Sequence, residues 1–517
     1  MKRPWLTTSL TVLILCVAGI GLYREASHAL THILTRFQET LPAGSHFTYR
    51  SASPSLLIGG ATLHDVTFHS PTITFHAAQV RLGHPHFLHD GSIGMASLQL
   101  DSADYRGPSL NLHAAKAIFR HLLIPSPPKA ALHTDLTTVS THSLAAILSF
   151  NPQHLSSLRF GRTHVEGLDF TFPPQQPFFS PALHLTHITV ETFTLEGYGI
   201  GSRVLTDIKN ASLSLSLSSK STSTWPALLS DMLCPPDMTN TATIPLTLTV
   251  ERFYARNGHH HWLQSNSSHI EEALSQAFQH DPLQNLWESP GSLWLHRLAL
   301  TIGKPTNSSV FRLDHLNLTR KNDPSSALHT EGNLQGIHLR PAGGRHFTMS
   351  INGQKTLLHF IENSHKNDKG WDNAFTSHLT VPSLGHVALD AHTRLPAENP
   401  FHNAIDRKNF AHNTLMTDAT ITLKGERLLD LWPHLAHINA SVEERAHFRE
   451  DLIHALERAI SARPLFTPMM DYVLTPKDRT LTIGLGSLSV DDVIHLPLTG
   501  PTNAVLDHAH ITSVTVH

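Results

Sequence analysis

The sequence predicts a mainly β protein with a few helices (α+β): curved, bulged antiparallel sheets in an elongated body that follows one N-terminal transmembrane helix. Three observations carry this expectation. One long apolar run stands at the N-terminus and no second one appears, short apolar/polar alternations fill most of the remaining chain, and in several of them the alternation slips by one residue.

The N-terminus reads "MKRPWLTTSLTVLILCVAGIGLYREASHAL". Trp5 to Tyr23 is 19 residues without a charge, a helix of about 28 Å against a hydrocarbon core of about 30 Å. Lys2 and Arg3 precede it, and Trp5 and Tyr23 sit at its ends as interfacial anchors. The positive-inside rule then puts the N-terminus in the cytoplasm and the rest of the chain on the far side. A signal peptide cut near Ser27-His28-Ala29 is the alternative, but Arg24 and Glu25 fall in the normally uncharged stretch before such a cut. Next, Leu30, Ile33, Leu34 and Phe37 recur at helical spacing up to Pro42 and Gly44, predicting a short amphipathic helix.

From Phe47 the pattern changes to half-buried strands. In "ASLSLSLSS", Leu213, Leu215 and Leu217 alternate with serines; in "PLTLTVERF", Leu246, Leu248, Val250 and Phe253 lie among threonines and charges. The slipped form, apolar-x-apolar-x-x-apolar-x-apolar, occurs at Ile73-Phe75-Ala78-Val80, Leu98-Leu100-Ala103-Tyr105, Leu183-Leu185-Ile188-Val190, Leu293-Leu295-Leu298-Leu300, Phe311-Leu313-Leu316-Leu318 and Ile483-Leu485-Leu488-Val490. A strand that gains one residue forms a bulge, which returns the later side chains to the same face and bends the strand. The competing reading of each site is two short strands with a turn between them.

Helices are few. "SVEERAHFREDLIHALERAISARP" offers a capping box at Ser441 and Glu444, a stripe of Phe448, Leu452, Leu456 and Ile460, and a stop at Pro464. "SHIEEALSQAF" is a second candidate, and 143–149 and 425–435 are shorter ones. The predicted domains are 1–24, cytoplasmic tip and membrane helix; 25–45, juxtamembrane helix; 46–220, β-rich; 221–290, a helical and loop insertion; and 291–517, β-rich with the amphipathic helix 441–462. Breaker-rich stretches such as 365–373 are predicted loops.

Composition excludes some partners. The 38 Lys and Arg nearly balance the 41 Asp and Glu, so no basic field points to nucleic acid. Of the two cysteines, Cys16 lies in the apolar run and Cys234 far from it, which rules out pairing without leaving the bilayer. Five Asn-x-Ser/Thr sequons, at Asn210, Asn266, Asn307, Asn317 and Asn439, are weak signals in so Ser/Thr-rich a chain.

Histidine is the outlier, with 42 residues spread along the chain. The best metal-like cluster is "HPHFLHD": His84, His86 and His89, with Asp90 beside them, could offer imidazoles to zinc. Pro85 prevents a regular helix there, and no second ligand group accompanies them. At this histidine content such clusters arise by composition, and no catalytic, cofactor or metal residue is assigned. "GYGIGS" (197–202) is followed by strand patterns, so no helix N-terminus is offered to an anion. No G-x-S-x-G, H-E-x-x-H or Walker lysine occurs, and the chain is expected not to be an enzyme.

The single span, the short helix and then "FTYRSASPSLLIGGATLHDVTFHSPTITFHAAQVRL" resemble the opening of AsmA-like envelope proteins and related single-span periplasmic families of Gram-negative bacteria. The likeness covers residues 1–85 and, through "YVLTPKDRTLTIGLGSLSV", 441–491. The resemblance implies a β-rich periplasmic body tethered to the inner membrane, non-enzymatic, supporting cell-envelope assembly. It also implies an apolar groove for phospholipid or another acyl lipid, with envelope proteins as further partners and no cofactor. The alternative is a periplasmic scaffold for a secretion or polysaccharide-export complex.

Overall fold

The computed structural model describes residues 4–39, 41, 43–55, 59–88, 92–108, 110–124, 158–172, 177–178, 180–198, 204–218, 243–257, 291–304, 307–322, 327–340, 356–367, 370–381, 384–396, 413–425, 428, 442–489 and 510–517. The mainly β expectation holds: strands dominate, and every described pairing is antiparallel. The chain forms two compact units: Met1–Gln176, His187–Lys209 and His259–Ala277 make the first, and Pro177–Thr186, Asn210–Gly258 and Phe278–His517 the second. The β-strands at 180–198 and 204–218 therefore contribute to both.

The first unit begins with α1 (Pro4–Glu39), one continuous helix where two segments were predicted. No helix among the described residues is long and apolar enough to cross a membrane. Apart from Leu22 and Tyr23, the expected span Trp5 to Tyr23 lies outside the described side chains. The later part of α1 packs on the sheet. Leu34 is buried with Ala61, Leu63 and Val66, the Phe37 and Phe47 rings meet edge to face at 5.0 Å, and Gln38 Nε2 donates to the Phe47 carbonyl at 2.9 Å. Ile33, expected on the packed stripe, is 63 % exposed instead.

Strands β1 (His46–Thr48) and β2 (Ser51–Ser55) pair with one side of β3 (Gly60–His69). From its other side a meander continues through β4 (Thr74–Gly83), β6 (Ile93–Arg106), β7 (Asn111–Ile124), β8 (Phe160–Thr171) and β10 (Ser180–Tyr198), while β5 (His86–Phe87) and β9 (Pro177–Phe178) are short hairpin arms. β11 (Val204–Ser218) follows the glycine-rich stretch directly, as its pattern predicts.

The second unit holds a longer meander: β12 (Thr243–Asn257), β13 (Gly291–Lys304), β14 (Asn307–Asn322), β15 (Ala327–Arg340), β16 (Leu357–Asn367), β17 (Gly370–Val381), β18 (Gly385–Pro396), β19 (Leu415–Lys424), β20 (Thr480–Leu485) and β22 (Ile511–Val516), with β21 (Leu488–Ser489) also on β19. β12 lies inside 221–290, so that stretch is not wholly loop and helix. The predicted loop 365–373 is mostly strand, since Asn367 already pairs with Gly370. The candidate helices at 143–149 and 268–278, and most of 425–435, lie outside the described residues.

α2 (Val442–Ala462) stops before Pro464 as predicted; α3 (Thr467–Leu474) follows a short 3-10 turn. Ser441 and the Phe448 side chain lie outside the described set. Leu456, Phe466, Tyr472 and Val473 bury against Leu481, Ile483, Ile511 and Val514. Tyr472 Oη donates to the Gly425 carbonyl at 3.1 Å, which resolves the one polar atom of this cluster's largest side chain.

The slips are real, and they are aligned. In the first unit Asp65, Ala78, Ser102, Ala115, Gly167 and Glu191 stand in one transverse row across β3, β4, β6, β7, β8 and β10, each opposite the next but left out of the pairing. Every second member has positive φ: Asp65 49°, Ser102 48° and Gly167 59°. A second row runs through Ala96, His121, Gly161 and Gly197, with φ of 52° at His121 and 76° at Gly197. The second unit has its own, Glu251, Arg297, Asp314 and Gly336, with φ of 49° at Arg297 and 68° at Gly336.

Apolar residues three apart across a row therefore share a cluster: Leu63 with Val66, Ala114 with Ala117, Met95 with Leu98, Leu195 with Tyr198. Because neighbouring strands slip together, the register resumes unchanged, and at these rows no strand carries an extra residue relative to its partner. A one-sided bulge does occur at Thr417, where His392 pairs with Asp418 and Thr393 with Met416.

Three of the six predicted slips fall where expected, at Ser102, Arg297 and Asp314. In β4 the slip is at Ala78, leaving Ala77 fully buried, and in β10 the row crosses at Glu191. The Ile483 pattern is two strands, β20 and β21, as in the competing reading.

Candidate functional site

In the second unit the aligned registers lay apolar side chains in rows over many strands. One row is Leu293, Leu318, Gly332, Phe360, Ser377, Leu389, Ile421, Ile483 and Val514; the next is Leu295, Leu316, Leu334, Leu358, Leu379, Val387, Leu423, Leu481 and Val516. Gly332 has a local reason: a Cβ there would enter the Phe360 ring, which occupies the glycine's place on this face. Toward β22 the rows are buried under α2 and α3. From β13 to β18 most members, including Leu293, Leu316, Leu318, Leu334, Leu358 and Phe360, are half-buried.

One end of this face is polar. The alternation Leu316, Leu318, Arg320 places the guanidinium on the apolar side, and Arg320 stands opposite Thr330, which stands opposite Glu362. Arg320 Nε donates to Thr330 Oγ1 at 2.7 Å, and its NH2 nitrogen lies 3.5 Å from Glu362 Oε2, with side-chain exposures of 4 % and 14 %. Burial pushes the Glu362 carboxyl up, against the pull of the Arg320 charge and a hydrogen bond donated by Ser364. Burial likewise draws Arg320 down, opposed by Glu362. Ser364 stands opposite Asn373, also buried, whose Oδ1 has no hydrogen-bond partner. An unmatched acceptor withdrawn from water is costly.

The predicted metal residues do not converge in what is described. His84 and His86 are exposed, their rings 5.8 Å apart, and His86 Nδ1 lies 3.1 Å from the His84 carbonyl oxygen. His89 and Asp90 lie outside the described residues. Among the described residues no three His, Cys, Asp or Glu side chains are grouped to hold a metal ion.

Elsewhere histidines on the polar face pair with carboxylates: His187 with Asp169 at 2.7 Å, His113 with Asp104 at 2.9 Å, His392 with Asp418 at 3.0 Å. The His392 hydrogen bond holds the Asp418 carboxyl below its ordinary range. At the row in the second unit, His296 and His315 face each other with Nδ1 atoms 3.0 Å apart, and Arg297 grips Glu251 at 2.7 Å.

Sequence reasoning missed Arg320, Thr330, Glu362 and Asn373. The signal was present: in Leu316-x-Leu318-x-Arg320 and Leu358-x-Phe360-x-Glu362 a charge occupies an inward position of an unbroken alternation. The chain matches no protein-family model and no curated protein sequence.

Proposed function

We propose that the protein is a non-enzymatic envelope protein, anchored in the inner membrane of a Gram-negative bacterium by the apolar part of α1, with its body in the periplasm. There it supports envelope assembly by seating acyl chains on the apolar face of β13 to β18. The observation that carries this reading is the run of half-buried leucines and phenylalanines continuous across those strands. Each methylene moved from water onto such a surface contributes about 0.8 kcal/mol, so one acyl chain supplies useful affinity.

The test is organic-solvent extraction of the purified full chain, together with titration of a fluorescent fatty acid. Co-purifying lipid and saturable probe binding are expected. A lipid-free extract together with no probe binding overturns the reading.

A further inference from the structure

We propose that Thr74, His76, Asp104 and Arg106 hold the phosphate monoester of a small polyhydroxylated molecule, a sugar phosphate in class. The site lies within the first unit and does not depend on the acyl-chain reading above.

The four residues are two neighbouring cross-strand pairs of β4 and β6, Thr74 with Arg106 and His76 with Asp104. Phe75 and Tyr105 stand between them and are buried on the opposite, apolar face. Together the four line a cavity of about 210 Å³ that opens to solvent. The strands on either side set its corners. His69 of β3 stands opposite Thr74, with its Nδ1 3.0 Å from Thr74 Oγ1, which leaves either the hydroxyl hydrogen or a lone pair for a ligand. His113 of β7 stands opposite Asp104, with its Nδ1 2.9 Å from Asp104 Oδ1.

The pairing of charges leaves a remainder. Asp104 and Arg106 are two apart on one strand and share a face, so they could neutralise each other. Asp104 turns to His113 instead, and among the described residues the Arg106 side chain has no hydrogen bond, ion pair or ring contact. The cavity is therefore lined by a cation that the fold leaves unmatched and by a carboxylate whose Oδ2 still asks for a donor. His76, which also has no partner among the described residues, adds an imidazole N–H.

These groups describe their ligand. The planar Arg106 fork suits a carboxylate or a phosphate, but a carboxylate spends both oxygens on the fork. A phosphate monoester has three acceptor oxygens and reaches Arg106, His76 and the Thr74 corner at once. A hydroxyl beside the phosphate then donates to Asp104 Oδ2. Inorganic phosphate leaves that carboxylate opposed rather than matched, and an uncharged sugar leaves Arg106 unmatched.

The experiment is isothermal titration calorimetry on the full chain in a nonionic polyoxyethylene detergent at low salt. The probes are glucose 6-phosphate, inorganic phosphate, glucose, and dihexanoyl phosphatidylglycerol, which carries a phosphodiester and a diol on a lipid. Glucose 6-phosphate is expected to bind about ten-fold more tightly than inorganic phosphate, the effect of one charge-assisted hydrogen bond to Asp104, and glucose should not bind. Arg106→Gln should abolish binding of both phosphates, and Asp104→Ala should bring the sugar phosphate down to the level of inorganic phosphate. Arg162→Gln, which removes an arginine already paired with Glu196, should change neither.

Binding of neither phosphate overturns the site, as does binding that survives Arg106→Gln. Equal affinities of the wild-type chain for the two phosphates overturn the polyol. Tighter binding of dihexanoyl phosphatidylglycerol than of glucose 6-phosphate overturns the sugar phosphate and makes a lipid head the source of the phosphate. The wild-type comparison of the four probes decides the matter even where a variant fails to fold.

Discussion

The two ends of the apolar face in the second unit are made of the same rows but are buried differently. At β20 and β22, Leu481 is 2 % exposed and Val514 6 %, because α2 and α3 lie against them. At β13 to β16, Leu293, Leu318 and Phe360 belong to the same row as Val514 and stay half-buried. The difference teaches that strand pairing alone orders an apolar surface without withdrawing it from water. A second layer is needed to complete burial. The half-covered end is also where the buried pair of Arg320 and Glu362 stands.

The strongest way to break the comparison is to damage each end. Phe466→Ala at the covered end should cost about 3–5 kcal/mol, measured from the denaturant midpoint. Leu318→Ala should cost less than half of that, since its side chain loses fewer contacts; equal losses would dissolve the contrast. At the other end, Arg320→Met strands the Glu362 carboxylate and should cost about 3–5 kcal/mol, whereas Arg320→Met with Glu362→Leu should return to within about 1 kcal/mol of the parent. If the double variant is as weak as the single one, the pair is more than a balanced insertion.

Smaller effects sharpen the picture of the rows. Gly336 has φ of 68°, and a Cβ there would collide with the Asp314 carboxylate. Gly336→Ala should therefore cost about 1–2 kcal/mol, and Arg297→Gly at a neighbouring position of the same row should cost nothing beyond its ion pair with Glu251. Chemical denaturation of the two variants side by side checks this.

The smallest effect concerns Tyr198, which stacks on Phe160 with centroids 4.9 Å apart. Burial pushes its hydroxyl from 10.0 up to about 12. Folding therefore favours the neutral phenol. Its contribution is complete below pH 10 and is lost as pH rises through about 12, so phenolate absorbance in the folded protein should lag behind that of exposed tyrosines. A Tyr198 signal that titrates with the exposed group would contradict its burial.

Much of the fold was legible because apolar spacing reports the face a residue occupies. Phe311, Leu313, Leu316 and Leu318 announced the slip at Asp314, and Leu452, Leu456 and Ile460 announced α2. The slip in β4 was misplaced because Ala77 and Ala78 read alike as apolar, and only the burial of Ala77 separates them. That the slips fall in common rows was not legible, since this depends on which strands pair and in what register. The polar inlay was hidden for a related reason. Arg320 and Glu362 meet only through β15, whose Thr330 lies between them.

The rows also limit how such a sheet can change length. An insertion of one residue within β7 would set its crossing at Ala115 out of step with Ser102 on one side and Gly167 on the other, turning its leucines outward on part of the strand. Tolerated growth is therefore by whole hairpins, each bringing a crossing at the matching distance from its turn. The protein's size is counted in strands rather than in residues, much as a pleated fabric can be widened by another pleat but not by a loose thread.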